Sequence, residues 1–176
     1  GYNNRFDDAV FRFAQIVHDS GTDAIPVLFT WPSRGKLLAY AYDRDSATYS
    51  RAALERLLQY LVDDKSVSDI SGLAHSMGNW VTLETLRQMS IRDAGIPSKI
   101  RNIMLADADV DIDVFRAQVA EMGKKRPDFT IFVSQDDKAL AASKFISGSA
   151  ARLGEINPNS ADYADFLAEN RIKVVN

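Results

Sequence analysis

The run Ala74-His75-Ser76-Met77-Gly78-Asn79 is where this sequence could do chemistry. A serine that serves as a nucleophile must be lifted above a sheet on a tight strand-to-helix turn. That turn brings backbones so close that small residues have to stand two positions away on each side. Ala74 and Gly78 hold those positions, so the pattern is G-x-S-x-G with its first glycine relaxed to alanine. So short a pattern also arises by chance, and its weight comes from its flanks. A strand candidate over 67–73 precedes it, and a helical pattern carrying Trp80, Val81 and Leu83 follows. The plainer alternative is a serine that caps a helix. Acyl transfer through serine also requires a histidine to take and return a proton, and the chain has two, His18 and His75. His75 adjoins Ser76 on the turn, where neighbouring side chains diverge, so it reads as a packing or loop-contacting residue. His18 lies beside Val17 at the margin of a helix's apolar face and reads as a partly solvated side chain.

A serine in this setting needs a strand that ends just before it and a helix that starts just after. The apolar patterning supplies both and repeats them along the chain. Residues 5–20 read as a helix with Phe6, Val10, Phe13 and Val17 on one face and Gly21 placed to stop it. Residues 25–30 form a short apolar strand candidate, and 43–64 a long helix with Leu54, Leu57, Leu58 and Leu61 as its stripe. Strands are expected over 67–74, 100–106, 129–133 and 171–175, and helices over 77–92, 111–122, 139–147 and 161–169. Strands separated by helices imply parallel pairing through right-handed crossovers. The expected architecture is one α/β domain over residues 1–176, with no internal repeat.

Composition narrows the chemistry further. The 176 residues are 46% hydrophobic and 26% charged, an ordinary globular balance. A net charge of −3 without a basic stripe argues against a nucleic-acid partner. Cysteine is absent, which removes disulfides, thiolate metal sites and cysteine nucleophiles, and two histidines are too few for a histidine-rich metal cage. No apolar run approaches the roughly 18–20 residues of a membrane span, and no phosphate-binding glycine loop is present. Neither a metal nor a cofactor is expected. Lys124-Lys125-Arg126 reads as a charge cluster at a helix end, and Asp107, Asp109, Asp111 and Asp113 have a plain reading as helix-capping acids. Trp31, in Trp31-Pro32-Ser33-Arg34-Gly35, is a candidate pocket-lining residue or a packing residue.

Several of these segments together resemble an α/β-hydrolase family of unknown function that is grouped with predicted esterases and lipases. The resemblance runs through Gly1-Tyr2-Asn3-Asn4, the stretch from Val27 to Gly35, Tyr42-Asp43-Arg44-Asp45-Ser46, Ala74 to Asn79, and Ser134 to Leu140. Two departures stand out. Ser71-Gly72 makes the strand before the serine less apolar than a buried central strand should be. Ala106-Asp107-Ala108-Asp109 replaces an apolar, proline-containing lead-in.

The resemblance implies an α/β-hydrolase fold, a mostly parallel sheet with helices on both faces, and roles for particular residues. Ser76 maps to the nucleophile, and the backbone N–H of Met77 to one oxyanion donor. The second donor maps to Tyr2, with Asn3 as the alternative. Asp137 aligns with the family's acid, and Asp109, just past the strand 100–106, is the second candidate. The base is expected beyond Asn176, because the family order places the histidine after the last strand. Both ends therefore read as cuts, with a strand expected before Gly1 that belongs between 25–30 and 67–73. On that basis the segment alone is expected to be inactive and unstable. The expected activity is hydrolysis of small-molecule carboxylic esters through an acyl-enzyme on Ser76, with Trp31 and His75 as substrate-lining candidates. A non-catalytic binding module on the same fold is the alternative, and a doubly wound nucleotide binder lacks its glycine-rich turn.

Overall fold

The computed structural model describes residues 2–133, 152–157 and 160–176. The chain divides into two compact units, Gly1–Ser50 and Arg51–Asn176.

In the first unit, helix α1 spans Phe6–Ser20. It starts where the Asp8 carboxylate accepts the Arg5 N–H at 3.1 Å. It stops at Gly21, whose left-handed φ of 57° lets its N–H return to the His18 carbonyl. The predicted apolar face forms, yet none of the side chains of α1 is buried. Residues 25–30 differ from expectation, since they join no ladder among the described strands. Pro26 has no N–H to donate, and Ile25 and Val27 stay exposed. A short 3-10 turn at Leu37–Ala39 leads into helix α2, Tyr40–Asp63, which begins before the predicted start at Asp43.

Asp43 lies in the first turn of α2 and is fully buried. Its carboxylate accepts the Ser33 hydroxyl at 2.5 Å, the Arg34 N–H at 2.9 Å and the Asn3 N–H at 3.3 Å. Donors converging on an ionised acceptor form charge-assisted bonds, about twice as strong as neutral ones. One side chain thus ties the Ser33–Arg34 segment and the Asn3 backbone to the start of a helix.

The second unit is built on a parallel sheet. Strand β1, Ile70–His75, is followed by helix α3, Met77–Asp93, and strand β2, Ile100–Ala106, by helix α4, Ile112–Met122. Strand β3, Asp128–Phe132, helix α5, Ala161–Glu169, and strand β4, Lys173–Val175, complete the described strands and α-helices of this unit, and a 3-10 turn lies at Leu153–Glu155. The order is β1-β2-β3-β4 and every pairing is parallel. The predicted strands and helices recur here with boundaries moved by a few residues. The predicted helix over 139–147 lies outside the described residues.

The strands alternate as a period of two requires. Ile103 and Leu105 of β2 and Phe129 and Ile131 of β3 are buried, together with Leu83, Leu86 and Met89 of α3 and Phe115 and Val119 of α4. The Phe115 ring meets Phe129 and Phe166 edge-on, at 5.9 and 6.0 Å between centroids. The polar departure in β1 has a packing cause. Gly72 stands opposite Ile103 in the ladder, and a Cβ at Gly72 would come within 2.9 Å of Ile103 Cδ1. Glycine there makes room for a core isoleucine. Between α3 and α4, Glu84 accepts from Arg87 at 2.6 and 2.8 Å, from Gln118 at 3.2 Å and from Arg51 at 3.2 Å.

Candidate active site

Parallel strands aligned in register bring their C-terminal ends to one edge, and the segments that follow them carry the candidate groups. His75 of β1 is the ladder partner of Ala106 of β2, so Ser76 and Asp107 leave the sheet side by side. Ser76 is the single residue between β1 and α3, with φ 52° and ψ −126°. A positive φ is costly for a residue with a Cβ and survives only where surroundings enforce it. Here the Ser76 N–H donates to the Ala106 carbonyl at 3.0 Å, and the Ser76 carbonyl accepts the Asn79 N–H at 3.0 Å. The Asn79 side chain reinforces both ends of this turn. Its Nδ2 donates to the Ser76 carbonyl at 2.8 Å and to the Ala106 carbonyl at 2.9 Å.

Ser76 makes no capping bond to the helix it precedes, so the plain helix-cap alternative does not account for it. The Met77 N–H belongs to the first turn of α3, where backbone donors lack intrahelical acceptors and the helix dipole presents positive charge. A half-buried hydroxyl beside such a donor is an arrangement in which an oxyanion can be formed and held.

The acids are placed as follows. Asp107, at φ 45°, accepts from His75, with Nε2 and Oδ2 2.9 Å apart and the two side chains 48% and 35% exposed. His75 is therefore committed to Asp107, a contact the sequence did not suggest. Asp109 faces Arg152, Oδ1 to Nε 3.5 Å, with both side chains nearly buried. The segment carrying Arg152 is strapped to the loop after β2, because the Leu153 and Gly154 N–H groups donate to the Val110 and Ala108 carbonyls at 2.9 and 3.0 Å. Asp111 caps α4, accepting the Asp113 and Val114 N–H groups at 2.9 and 3.2 Å. Each departure in Ala106-Asp107-Ala108-Asp109 thus has a local partner. Asp137 lies outside the described residues.

In the first unit, the Asn3 N–H is committed to Asp43. The Tyr2 carbonyl accepts the Asn4 side chain at 2.9 Å, and its ring stands edge-on to Tyr40 at 5.1 Å. Trp31 helps line a cavity of about 390 Å³ with Asn4, Arg5, Phe6 and Ser33, and its indole Nε1 is buried without a hydrogen-bond partner among the described residues. His18 is exposed in the last turn of α1. Among the described residues no group of His, Asp and Glu could hold a metal ion, and no described helix is long and apolar enough to cross a membrane.

A parallel α/β sheet with a backbone-strained serine between a strand end and a helix start is the arrangement of an α/β hydrolase. Residues 1–176 match the family described as alpha/beta hydrolase of unknown function (DUF900), and the chain belongs to that family. It is also similar to the uncharacterized protein alr1448 of Nostoc sp. (strain PCC 7120), with 39% identity over 61 residues, 35% of this chain and 16% of that protein. The match thus spans a small part of that relative's length. No solved structure matches the chain.

Sequence reading missed Asn79, Asp107, Arg152 and Asp43. A signal existed for two of them. Asn79 is a poor helix former in an otherwise apolar first turn, and Asp43 opens a helix close to a Trp-Pro-Ser turn.

Proposed function

We propose that this protein is a serine hydrolase that cleaves small carboxylic esters through an acyl-enzyme on Ser76. The observation that carries the reading is the left-handed φ of Ser76 at the junction of β1 and α3. In the reaction Oγ attacks the ester carbonyl and its proton passes to a histidine. The tetrahedral oxyanion collapses, and the alcohol leaves with that proton. Water then attacks the acyl carbonyl, giving its proton to the same base, and releases the acid and the serine.

The Met77 N–H is the first oxyanion donor in this reading. The family resemblance supplies the second, Tyr2, and the commitment of the Asn3 N–H to Asp43 favours Tyr2 over Asn3. For the acid, the pairing of Asp109 with Arg152 favours Asp137. The family resemblance places the base, a histidine, after the last strand; His75 adjoins Ser76 on the same turn, with its side chain directed to Asp107 instead. The test is turnover of a short p-nitrophenyl ester by the full-length protein and by Ser76→Ala. Loss of at least about 10³-fold in kcat is expected, the scale of triad removals. Equal turnover in the two would overturn the reading. A folded wild type without turnover on any ester chain length would favour a binding module.

A further inference from the structure

We infer that Asn79 is a positioning residue for the nucleophile: its side-chain amide locks Ser76 into the strained turn and ties that turn to the end of β2. This rests on the reading of Ser76 as nucleophile.

Three features of Asn79 argue for it. Its side chain is fully buried in the first turn of α3, where an apolar residue would be the cheaper occupant, because burying an amide is unfavourable unless its hydrogen bonds are remade. The Nδ2 group gives both its protons to backbone carbonyls, Ser76 at 2.8 Å and Ala106 at 2.9 Å. Its Oδ1 has no hydrogen-bond partner among the described residues.

The two carbonyls are not in need of Asn79. Ser76 O already accepts the Asn79 backbone N–H, and Ala106 O already accepts the Ser76 N–H, each at 3.0 Å. Each takes a second donor from the one amide. The amide therefore adds little satisfaction and much constraint. It holds the Ser76 carbonyl, and hence the Ser76–Met77 peptide plane, fixed against the last carbonyl of the neighbouring strand. That plane carries the Met77 N–H, so the same lock aims the oxyanion donor and the Oγ relative to each other. Misplacing reacting groups by about 1 Å can cost a factor of about 10² in rate.

The experiment is Asn79→Leu in the full-length protein. Leucine has a similar volume, removes the orphaned oxygen and leaves both carbonyls with a backbone donor. The expected result is an unchanged or higher melting temperature. With it should come a kcat on a short aryl ester about tenfold to a hundredfold lower, a KM within about twofold, and slower fluorophosphonate labelling of Ser76. Unchanged kcat and labelling rate in the folded variant would overturn the inference. If leucine does not fold, Asn79→Ala removes the same donors without adding bulk, and the same kcat-against-KM split applies.

Amide exchange followed by NMR separates this inference from the hydrolase reading. Faster exchange at Ser76 and Met77 in the variant is expected whether or not the wild type turns over esters. Unchanged exchange overturns the lock. A wild type that neither labels nor turns over, but shows the exchange effect, sinks the hydrolase reading while leaving Asn79 as the residue that holds the turn.

Discussion

Ser76 carries a backbone cost that its side chain would have to justify. A non-glycine residue at positive φ stores about 1–3 kcal/mol, and glycine at such a position meets no Cβ penalty. Ser76→Gly should therefore raise stability by roughly 1 kcal/mol in denaturant unfolding while abolishing labelling by a serine-directed probe. A stability loss would mean that the turn is not strained as its φ implies. At Gly72 the sign reverses. Gly72→Ala puts a methyl group within 2.9 Å of Ile103 Cδ1, the far end of a flexible side chain, and should cost about 1 kcal/mol, the low end of the range for overpacking a core. A neutral result would show that Ile103 can turn aside. The residue type and spacing around Ser76 were legible because elbow, strand and helix are contiguous. The locking role of Asn79 was not legible, because its second acceptor, Ala106, is 27 residues away. No local pattern reports a bond of that span.

Elements with a clear period were read with the right type, since burial on one face enforces the period. β2 and α4 are examples, one alternating and one with Ile112, Phe115, Val119 and Met122 at helical spacing. Residues 25–30 were misread for the converse reason. An apolar run signals a strand only if a neighbour accepts its backbone bonds, and none of the described strands pairs with it. Helix ends depend on caps, and the start of α4 was legible from its capping acid. Asp111 accepts two N–H groups at the start of α4, so Asp111→Ala should destabilise the protein by about 1 kcal/mol, read from the unfolding midpoint. Asp43 works across elements and could not be seen in sequence, its Asn3 partner being 40 residues distant. Asp43→Asn should speed amide exchange at both Asn3 and Arg34. A change at only one of them would contradict a shared clamp.

Over the whole molecule, charge couples stability to pH through Glu84. The Arg87 guanidinium, acting first by hydrogen bonding, holds this carboxyl below its ordinary value of 4.5, with Gln118 and Arg51 adding to the effect against the opposing cost of burial. Its folded-state pKa is depressed, so the stabilisation is fully present above the ordinary carboxylate range. It is lost as pH falls through the lowered value. Glu84→Gln should therefore cost roughly 1–3 kcal/mol at neutral pH, and the gap from wild type should close in acid. A gap independent of pH would assign the effect to packing. The acid and base of the proposed reaction belong to this scale too, and sequence resemblance alone assigns them. The most direct test of the central claim is to treat the full-length protein with a fluorophosphonate and map the adduct by mass spectrometry. Displacement of fluoride by one serine oxygen should leave a single phosphonyl group on Ser76, absent from Ser76→Ala and blocked by prior heat denaturation. A folded protein that takes no adduct, or takes it at another serine, would contradict the account.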